Sequence, residues 1–222
     1  MTPLQTLGFA LGAAFASGLN LYATVAVLGL LHRYEIIQLP ATLEVLAHPI
    51  VLVIALALYA IEFVADKVPF LDSVWDLVHT FIRPPAAALL AYAAFGSVPE
   101  SWRVAAGLLA GAVALTSHGT KATTRAAANA SPEPVSNSVL SLTEDGVAVF
   151  LAWLAASHPF LTLVLVALLA AISIYVLVRF FGYLRQVARR FLGRTWPRGS
   201  HSVPNGKAAP PVDGYRLPRP GS

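Results

Sequence analysis

A run of ionisable residues at helical spacing lies within residues 70–83, in the sequence FLDSVWDLVHTFIR. Asp72, Asp76 and His79 are four and three residues apart, so a helix presents them on one face. Two carboxylates and an imidazole could hold a divalent cation or form a proton relay. The structural alternative is an interfacial helix whose acids pair with Lys67 and Arg83 while its apolar side rests on other helices. All three interpretations stay open from the sequence.

Glu62 and Asp66 precede this run and share one helical face, because they are four residues apart. Glu62 is surrounded by Ile61, Phe63 and Val64, inside an apolar segment. An ionisable side chain within a membrane segment is costly and marks a functional site by default. We expect Glu62 to exchange protons where water reaches it, with Asp66 beside it on the pathway.

A second polar face follows an apolar stretch in the middle of the chain. His118, Lys121, Arg125 and Asn129 recur at spacings of three, four and four, which again is one face of a helix. Guanidinium and ammonium groups suit phosphate or carboxylate, so this face could bind an anion. The alternative is a helix end whose cations reach out to the membrane interface.

Glu144 and Asp145 are adjacent acids inside the apolar segment 138–156. Carboxylates at that position are costly unless they are paired. We therefore expect Lys121 and Arg125 to be their partners, across the gap between two helices.

The first apolar segment is interrupted by the small and polar residues Ser17, Gly18 and Asn20. Such a break either lets helices approach closely or marks an unwound segment that lines a binding site. Both interpretations stay open from the sequence.

The composition indicates that a bilayer surrounds the helices that carry these residues. The 222 residues are 57% hydrophobic and 12% charged, with a mean hydropathy of +0.68, whereas soluble domains carry about 25% charged residues. The chain has no cysteine, which excludes disulfides, thiolate nucleophiles and cysteine-based zinc sites. The sequence therefore predicts an all-α, polytopic membrane protein.

About 20 apolar residues are needed for a helix to cross a bilayer, and the pattern predicts six such spans. They cover about residues 4–31, 48–66, 86–98, 102–130, 138–156 and 159–178. The helix at 70–83 is predicted to be interfacial or re-entrant. Two loose matches within the chain predict a three-plus-three inverted repeat. Those matches pair Ala10, Ala14 and Ser17 with Ala110, Ala114 and Ser117, and His48-Pro49 with His158-Pro159.

The charge distribution orients the predicted spans. Nine of the 15 Lys and Arg residues lie from Arg179 onward, against one acid, Asp213. The positive-inside rule places this end in the cytoplasm, and six spans then place the amino terminus there as well. All the ionisable site residues above fall in the cytoplasmic half of the bundle under this orientation.

Three regions are expected along the chain. They are a transmembrane helical domain (1–180), an interfacial basic amphipathic helix (181–194) and a disordered cytoplasmic tail (195–222). The basic helix is expected to contact anionic lipids. No nucleic-acid partner is expected, because the basic residues are not interleaved with aromatic ones.

Two motifs carry a resemblance to a known family: ADKxPxxDxxWDxxHTxIRP from Ala65 and HGTKxxTRxxxNxSPEPxSN from His118. They resemble an uncharacterised family of bacterial integral-membrane proteins, filed as a domain of unknown function, over about residues 8–180. The resemblance implies a multi-pass protein of the bacterial inner membrane. It implies no activity, cofactor or catalytic residue.

The leading functional hypothesis is a transporter or channel for a small solute or ion, coupled to protons through groups such as Glu62 and His118. An intramembrane enzyme acting on a lipid-linked phosphate is the alternative. Asp72, Asp76 and His79 would hold a divalent metal, and Lys121 and Arg125 would hold the phosphate. A non-catalytic assembly protein is the third hypothesis. We expect no resident cofactor beyond such a metal, and the sequence leaves a homo-oligomer open.

Overall fold

The computed structural model describes residues 1–68, 70–96, 98–129 and 134–192. These residues are helical and contain no β-strand, which confirms the all-α prediction. The predicted tail (195–222) lies outside the described residues. The α-helices are α1 (Pro3–Leu19), α2 (Leu21–Arg33), α3 (Pro49–Ala65), α4 (Leu71–His79), α5 (Arg83–Ala94), α6 (Glu100–Asn129), α7 (Pro134–Ser157) and α8 (Pro159–Leu192), and a 3₁₀ helix (Ala41–Ala47) precedes α3.

Asn20 ends α1 and begins α2. Its backbone is extended, with φ −149° and ψ 103°, so the helix cannot continue through it. The Asn20 side chain accepts a hydrogen bond from the Ala23 N–H and caps α2. Met1 and Thr6 at the start of α1 line one pocket with Leu39, which follows α2. The chain therefore reverses at Asn20, and α1 and α2 form a helical hairpin.

The remaining α-helices, apart from α4, run between the two ends of this hairpin. The amino-terminal end of the bundle gathers Met1, the residues after α2 and the α5–α6 turn around Ala94, and Gly8 also lies against the Pro159 carbonyl there. The opposite end, here the charged end, contains the hairpin tip at Asn20. Among the described residues the chain makes seven passes between these ends, through every helix except α4.

Seven passes differ from the six predicted spans because the predicted span 4–31 is two antiparallel helices. The apolar pattern runs unbroken across Asn20, so it does not distinguish a kinked helix from a reversal. The six-span prediction is not confirmed. The start of α1 and the later part of α8 lie at opposite ends of the bundle, since Gly8 meets Pro159 at one end while Gly119 meets Leu177 near the other.

Small residues let α1 and α6 pack in close contact. Ala10, Ala14 and Ser17 are fully buried, or nearly so, and so are Ala110, Ala114 and Ser117. A Cβ at Gly18 would collide with the Ser117 hydroxyl and the Ala114 carbonyl, so only glycine fits there. The structure thus shows the close-packing role that the sequence offered for this break, together with the reversal at Asn20.

The two helices that carry these matched residues run in the same direction. Leu7 shares a pocket with Ala105 and Leu109, while the Leu19 carbonyl accepts a hydrogen bond from Lys121. The helices that begin at His48-Pro49 and His158-Pro159 also both lead away from the amino-terminal end. Corresponding helices of an inverted repeat would run in opposite directions, so the inverted relation is not found for either match.

The outward surfaces of the bundle are apolar, which supports a membrane protein. Two helical segments, Asn137–Ser157 and Pro159–Arg190, are long and apolar enough to cross a bilayer. A third results if the 3₁₀ helix and α3, which are bent by 63° relative to each other, form one span. Residues 1–183 form one compact unit, and of the residues after it the structure describes 184–192, the end of α8. The compact unit 1–183 contains all the site residues discussed below.

Candidate functional site

Among the residues that the structure describes, nine charged side chains meet at the charged end of the bundle, and we refer to them as the charge cluster. They come from α3 and the residue after it, from α4, α5, α6 and α7, and they are buried or nearly so. The members of the cluster are Glu62, Asp66, Asp72, Asp76, Arg83, Lys121, Arg125, Glu144 and Asp145.

Lys121 connects α6 to α3 and to the hairpin tip. Its ammonium group lies 2.9 Å from Asp66 Oδ2 and 3.2 Å from Glu62 Oε1. It also donates to the Leu19 carbonyl at 3.0 Å. Lys121 therefore pairs with two carboxylates and binds a carbonyl at the end of α1, where the helix dipole is negative.

Arg125, one turn later on α6, holds two acids from different helices. Its Nη2 donates to Asp66 Oδ2 at 3.0 Å, and its Nη1 to the Asp66 carbonyl at 2.7 Å. Its Nε and Nη2 both donate to Glu144 Oε2. The predicted pairing of Glu144 with Arg125 is confirmed, and Lys121 lies 3.8 Å from the same carboxylate.

Asp145 does not pair with a cation in the described part of the chain, contrary to expectation. Asn20 donates to its Oδ1 at 2.8 Å, and the Tyr59 hydroxyl donates to its Oδ2 at 3.5 Å. Because Asp145 follows Glu144 directly, the two side chains leave α7 about 100° apart and reach different neighbours. Asp145 thereby lies near the start of α2, where the helix dipole favours a negative charge.

Arg83 is the main site residue that the sequence analysis missed. It is fully buried, and its Nη2 donates to Glu62 Oε1 at 2.5 Å. Its Nη1 donates to the Gly18 carbonyl at 2.9 Å and to His118 Nδ1 at 3.0 Å. The sequence offered Arg83 only as a partner for acids on an interfacial helix. The position of Arg83 at the start of the apolar helix α5, directly after the acids of α4, was the feature of the sequence that could have indicated its role.

His118 is held as a neutral imidazole by this geometry. A guanidinium group only donates hydrogen bonds, so His118 Nδ1 must accept from Arg83 and carries no proton. The Nε2–H then faces the Asp76 carbonyl at 3.0 Å and the Thr80 hydroxyl at 2.9 Å. Protonation of Nδ1 would place its N–H against the N–H donor of Arg83. This contact opposes the predicted role of His118 as a proton carrier.

The predicted anion-binding face on α6 is occupied by the protein's own acids. Besides the contacts of Lys121 and Arg125, Asn129 donates to both Asp72 oxygens at 3.1 and 2.9 Å. Asn137 donates in turn to the Asn129 side-chain oxygen at 2.8 Å. The cations of this face are consequently already neutralised by carboxylates.

On α4, Asp72, Asp76 and His79 are all buried, but they have separate partners. Asp72 accepts from Asn129 and from the Ser73 N–H. His79 Nδ1 lies 2.8 Å from the Trp75 carbonyl, and its Nε2 lies 3.0 Å from the Tyr22 hydroxyl. In the described ranges no three histidine or acidic side chains are placed to hold one metal ion. The divalent metal stays a prediction.

Asp76 differs from the other acids of the cluster. The residue is 3% exposed, and neither carboxylate oxygen accepts a hydrogen bond from any described residue. The nearest cation is Arg83, whose Nη1 lies 4.0 Å from Asp76 Oδ1. Burial raises the pKa of the Asp76 carboxyl, an effect that Lys121 and Arg83 oppose. Burial also lowers the pKa of His79, which favours the neutral imidazole.

Carboxylates outnumber cations in the charge cluster by six to three. Lys67 binds the Phe63 carbonyl and the Ser141 hydroxyl and interacts electrostatically with Asp145 and Asp66, so it reduces the excess of carboxylates but does not remove it. Two further carboxylate oxygens, Glu62 Oε2 and Asp66 Oδ1, are buried without a donor among the described residues. The arrangement can therefore take up positive charge, either as protons or as a cation.

Comparison with known proteins identifies one family. The model of the family described as Domain of unknown function (DUF4126) matches residues 7–179. No curated protein and no solved structure matches the chain.

Proposed function

The chain belongs to this family, and from the geometry of its charge cluster we propose that it is a membrane transporter that exchanges a small cationic solute for protons. The observation that carries the proposal is the excess of buried carboxylates over cations. Buried charges without compensation are strongly disfavoured, so such a site binds positive charge or becomes protonated. A cation and protons compete for the same carboxylates, which is the basis of exchange.

The position of the cluster supports transport more than a structural role. The tip of the α1–α2 hairpin points into it, and the carbonyls of Gly18 and Leu19 bind Arg83 and Lys121. Helix ends that face a charged site inside the bundle are a recurrent feature of transporters. Ionisable groups that face the inside of a membrane bundle mark ion and substrate pathways.

The enzyme hypothesis receives no support from the contacts. It required Lys121 and Arg125 to hold a phosphate, yet both cations are engaged by Asp66 and Glu144. An anionic ligand would have to displace these carboxylates into an apolar bundle. A cationic solute needs no such displacement.

Ligand stabilisation tests the sign of the charge that the site takes up. In detergent, small organic and inorganic cations should raise the melting temperature of the purified protein, whereas anions of the same size should not. A ligand at 100 times its Kd stabilises by about 2.7 kcal/mol. Asp145→Asn should reduce the shift, while Glu44→Gln, an exposed acid at the amino-terminal end, should leave it unchanged. Stabilisation by anions alone would contradict the proposal.

We further propose that the charged end faces the cytoplasm and that the amino terminus lies on the opposite, periplasmic side of a bacterial inner membrane. Lys67, Arg83, Lys121 and Arg125 lie at the charged end, and nine further Lys and Arg residues follow from Arg179 onward in the sequence. Arg33 and Arg103 lie toward the amino-terminal end. This orientation follows the positive-inside rule. It differs from the expectation that both termini are cytoplasmic, because an odd number of membrane crossings would place the two termini on opposite sides.

Single-cysteine labelling tests this topology, since the chain has no cysteine of its own. A membrane-impermeant thiol reagent should label Thr2→Cys, Glu35→Cys and Glu100→Cys from outside intact spheroplasts. Ala126→Cys, exposed at the charged end, should react only after permeabilisation. If Thr2→Cys is protected while Glu35→Cys is labelled, α1 and α2 form one span and the hairpin is wrong.

A further inference from the structure

We propose that Asp76 is the residue that binds and releases the exchanged proton, and that Arg83 transmits its charge state to the tip of the α1–α2 hairpin. This inference rests on the proposed cation–proton exchange and names the group that performs its proton step. The proton passes between the Asp76 carboxylate and water at the charged end, and no covalent bond within the protein changes.

The hydrogen bonds of the cluster single out Asp76 among the six carboxylates. Each of the other five accepts at least one hydrogen bond from a described side chain, and such bonds favour the ionised form. Neither oxygen of Asp76 accepts a hydrogen bond from the part of the chain that the structure describes. The donors to the other acids are Arg83 and Lys121 for Glu62, Lys121 and Arg125 for Asp66, Asn129 for Asp72, Arg125 for Glu144, and Asn20 for Asp145.

The charges that face Asp76 come from three neighbouring elements. Arg83 on α5 and Lys121 and Arg125 on α6 favour its ionised form, while Asp66 after α3 opposes it. On α4 itself, Asp72 and His79 have partners of their own, and His118 donates to the Asp76 backbone carbonyl and not to its carboxylate. Three cations near an otherwise unpaired carboxyl allow it to ionise, and burial allows it to be protonated. Asp76 can therefore exist in both states.

Arg83 is placed to respond to the charge on Asp76. It donates to Glu62 at 2.5 Å and lies 4.0 Å from Asp76, so an ionised Asp76 competes with Glu62 for the same guanidinium. The same Arg83 nitrogen that lies near Asp76 also donates to the Gly18 carbonyl at the hairpin tip. Movement of Arg83 toward Asp76 would weaken its hydrogen bond to the Gly18 carbonyl. Release of the proton thus weakens one of the bonds that hold the hairpin tip in the site.

Infrared spectroscopy of the purified protein tests the assignment without any solute. Near pH 7 surface carboxyls are ionised, so a carbonyl stretch of a protonated carboxylic acid reports a buried group. We expect such a band in the wild-type protein, its loss in Asp76→Asn, and its retention in Asp72→Asn. Asp72 is the matched control, since it lies one turn away on the same helix and is also buried. A band that persists in Asp76→Asn overturns the assignment, as does its absence from the wild-type protein.

A conservative variant keeps the test decisive if Asp76→Asn does not fold. Asp76→Glu retains the carboxyl and should change the frequency and the pH midpoint of the band, whereas an unchanged band would overturn the assignment. The outcome is independent of transport. An Asp76 band in a protein that moves no cation would refute the proposed function and leave the proton site standing.

Discussion

Arg125→Ala and Glu144→Ala should each lower the free energy of unfolding strongly. The double substitution should lower it by much less than the sum of the two single losses. Removing one partner of a buried ion pair costs roughly 3–5 kcal/mol, because the other charge is left unpaired. Arg125 reaches Glu144 through two nitrogens, and the acid is largely buried. The free energy of unfolding, measured by denaturation in mixed micelles, checks this expectation.

The size of the coupling has a structural limit. Arg125 also pairs with Asp66, so Arg125→Ala removes one partner of a second carboxylate. Asp66 keeps Lys121 as a partner at 2.9 Å, which moderates that loss. Residues in one such network show coupling energies of about 0.5–3 kcal/mol, and we expect the upper part of this range.

A distant cation provides the control for the double-mutant cycle. Arg103 is at the other end of α6, where it lies over the Tyr92 ring and donates to the Tyr92 carbonyl. The losses of unfolding free energy from Arg103→Ala and from Glu144→Ala should therefore be additive. Additive losses for Arg125→Ala and Glu144→Ala as well would mean that the two residues do not interact.

The helical class and the meeting of the charged residues were predictable from the sequence. Spacings of three and four residues placed the acids of α4 and the cations of α6 on single faces, and local helix geometry preserves such faces. The Glu144–Arg125 pair followed from the energetic cost of an isolated carboxylate in an apolar segment. These inferences depend on local periodicity or on charge balance.

The features that were not predicted depend on tertiary geometry. The Asn20 backbone is compatible with a kink and with a reversal of the chain. The reversal is recognised because Thr6 and Leu39, which follows α2, line the same pocket. The partner of Asp145 was missed because Asn20 lies 125 residues away in the chain. Glu62 was expected to exchange protons, but Arg83 and Lys121 both pair with it. The unpaired acid is Asp76, which the spacing alone grouped with Asp72 and His79.

Whether the protein exchanges a cation for protons is measured most directly in proteoliposomes that contain a pH-sensitive dye. The vesicles are loaded at acidic pH, and a cation that stabilises the purified protein is added outside. Cation entry coupled to proton exit should make the interior more alkaline, at a rate that depends on the cation concentration. Vesicles without protein and vesicles with the Arg103→Ala variant provide the controls.

The account predicts cation-dependent alkalinisation with the wild-type protein and with Arg103→Ala, and its loss with Asp76→Asn. The loss follows because an asparagine keeps the shape of the side chain but cannot carry the proton. Binding of the cation to the wild-type protein without any movement of protons across the vesicle membrane would contradict the account.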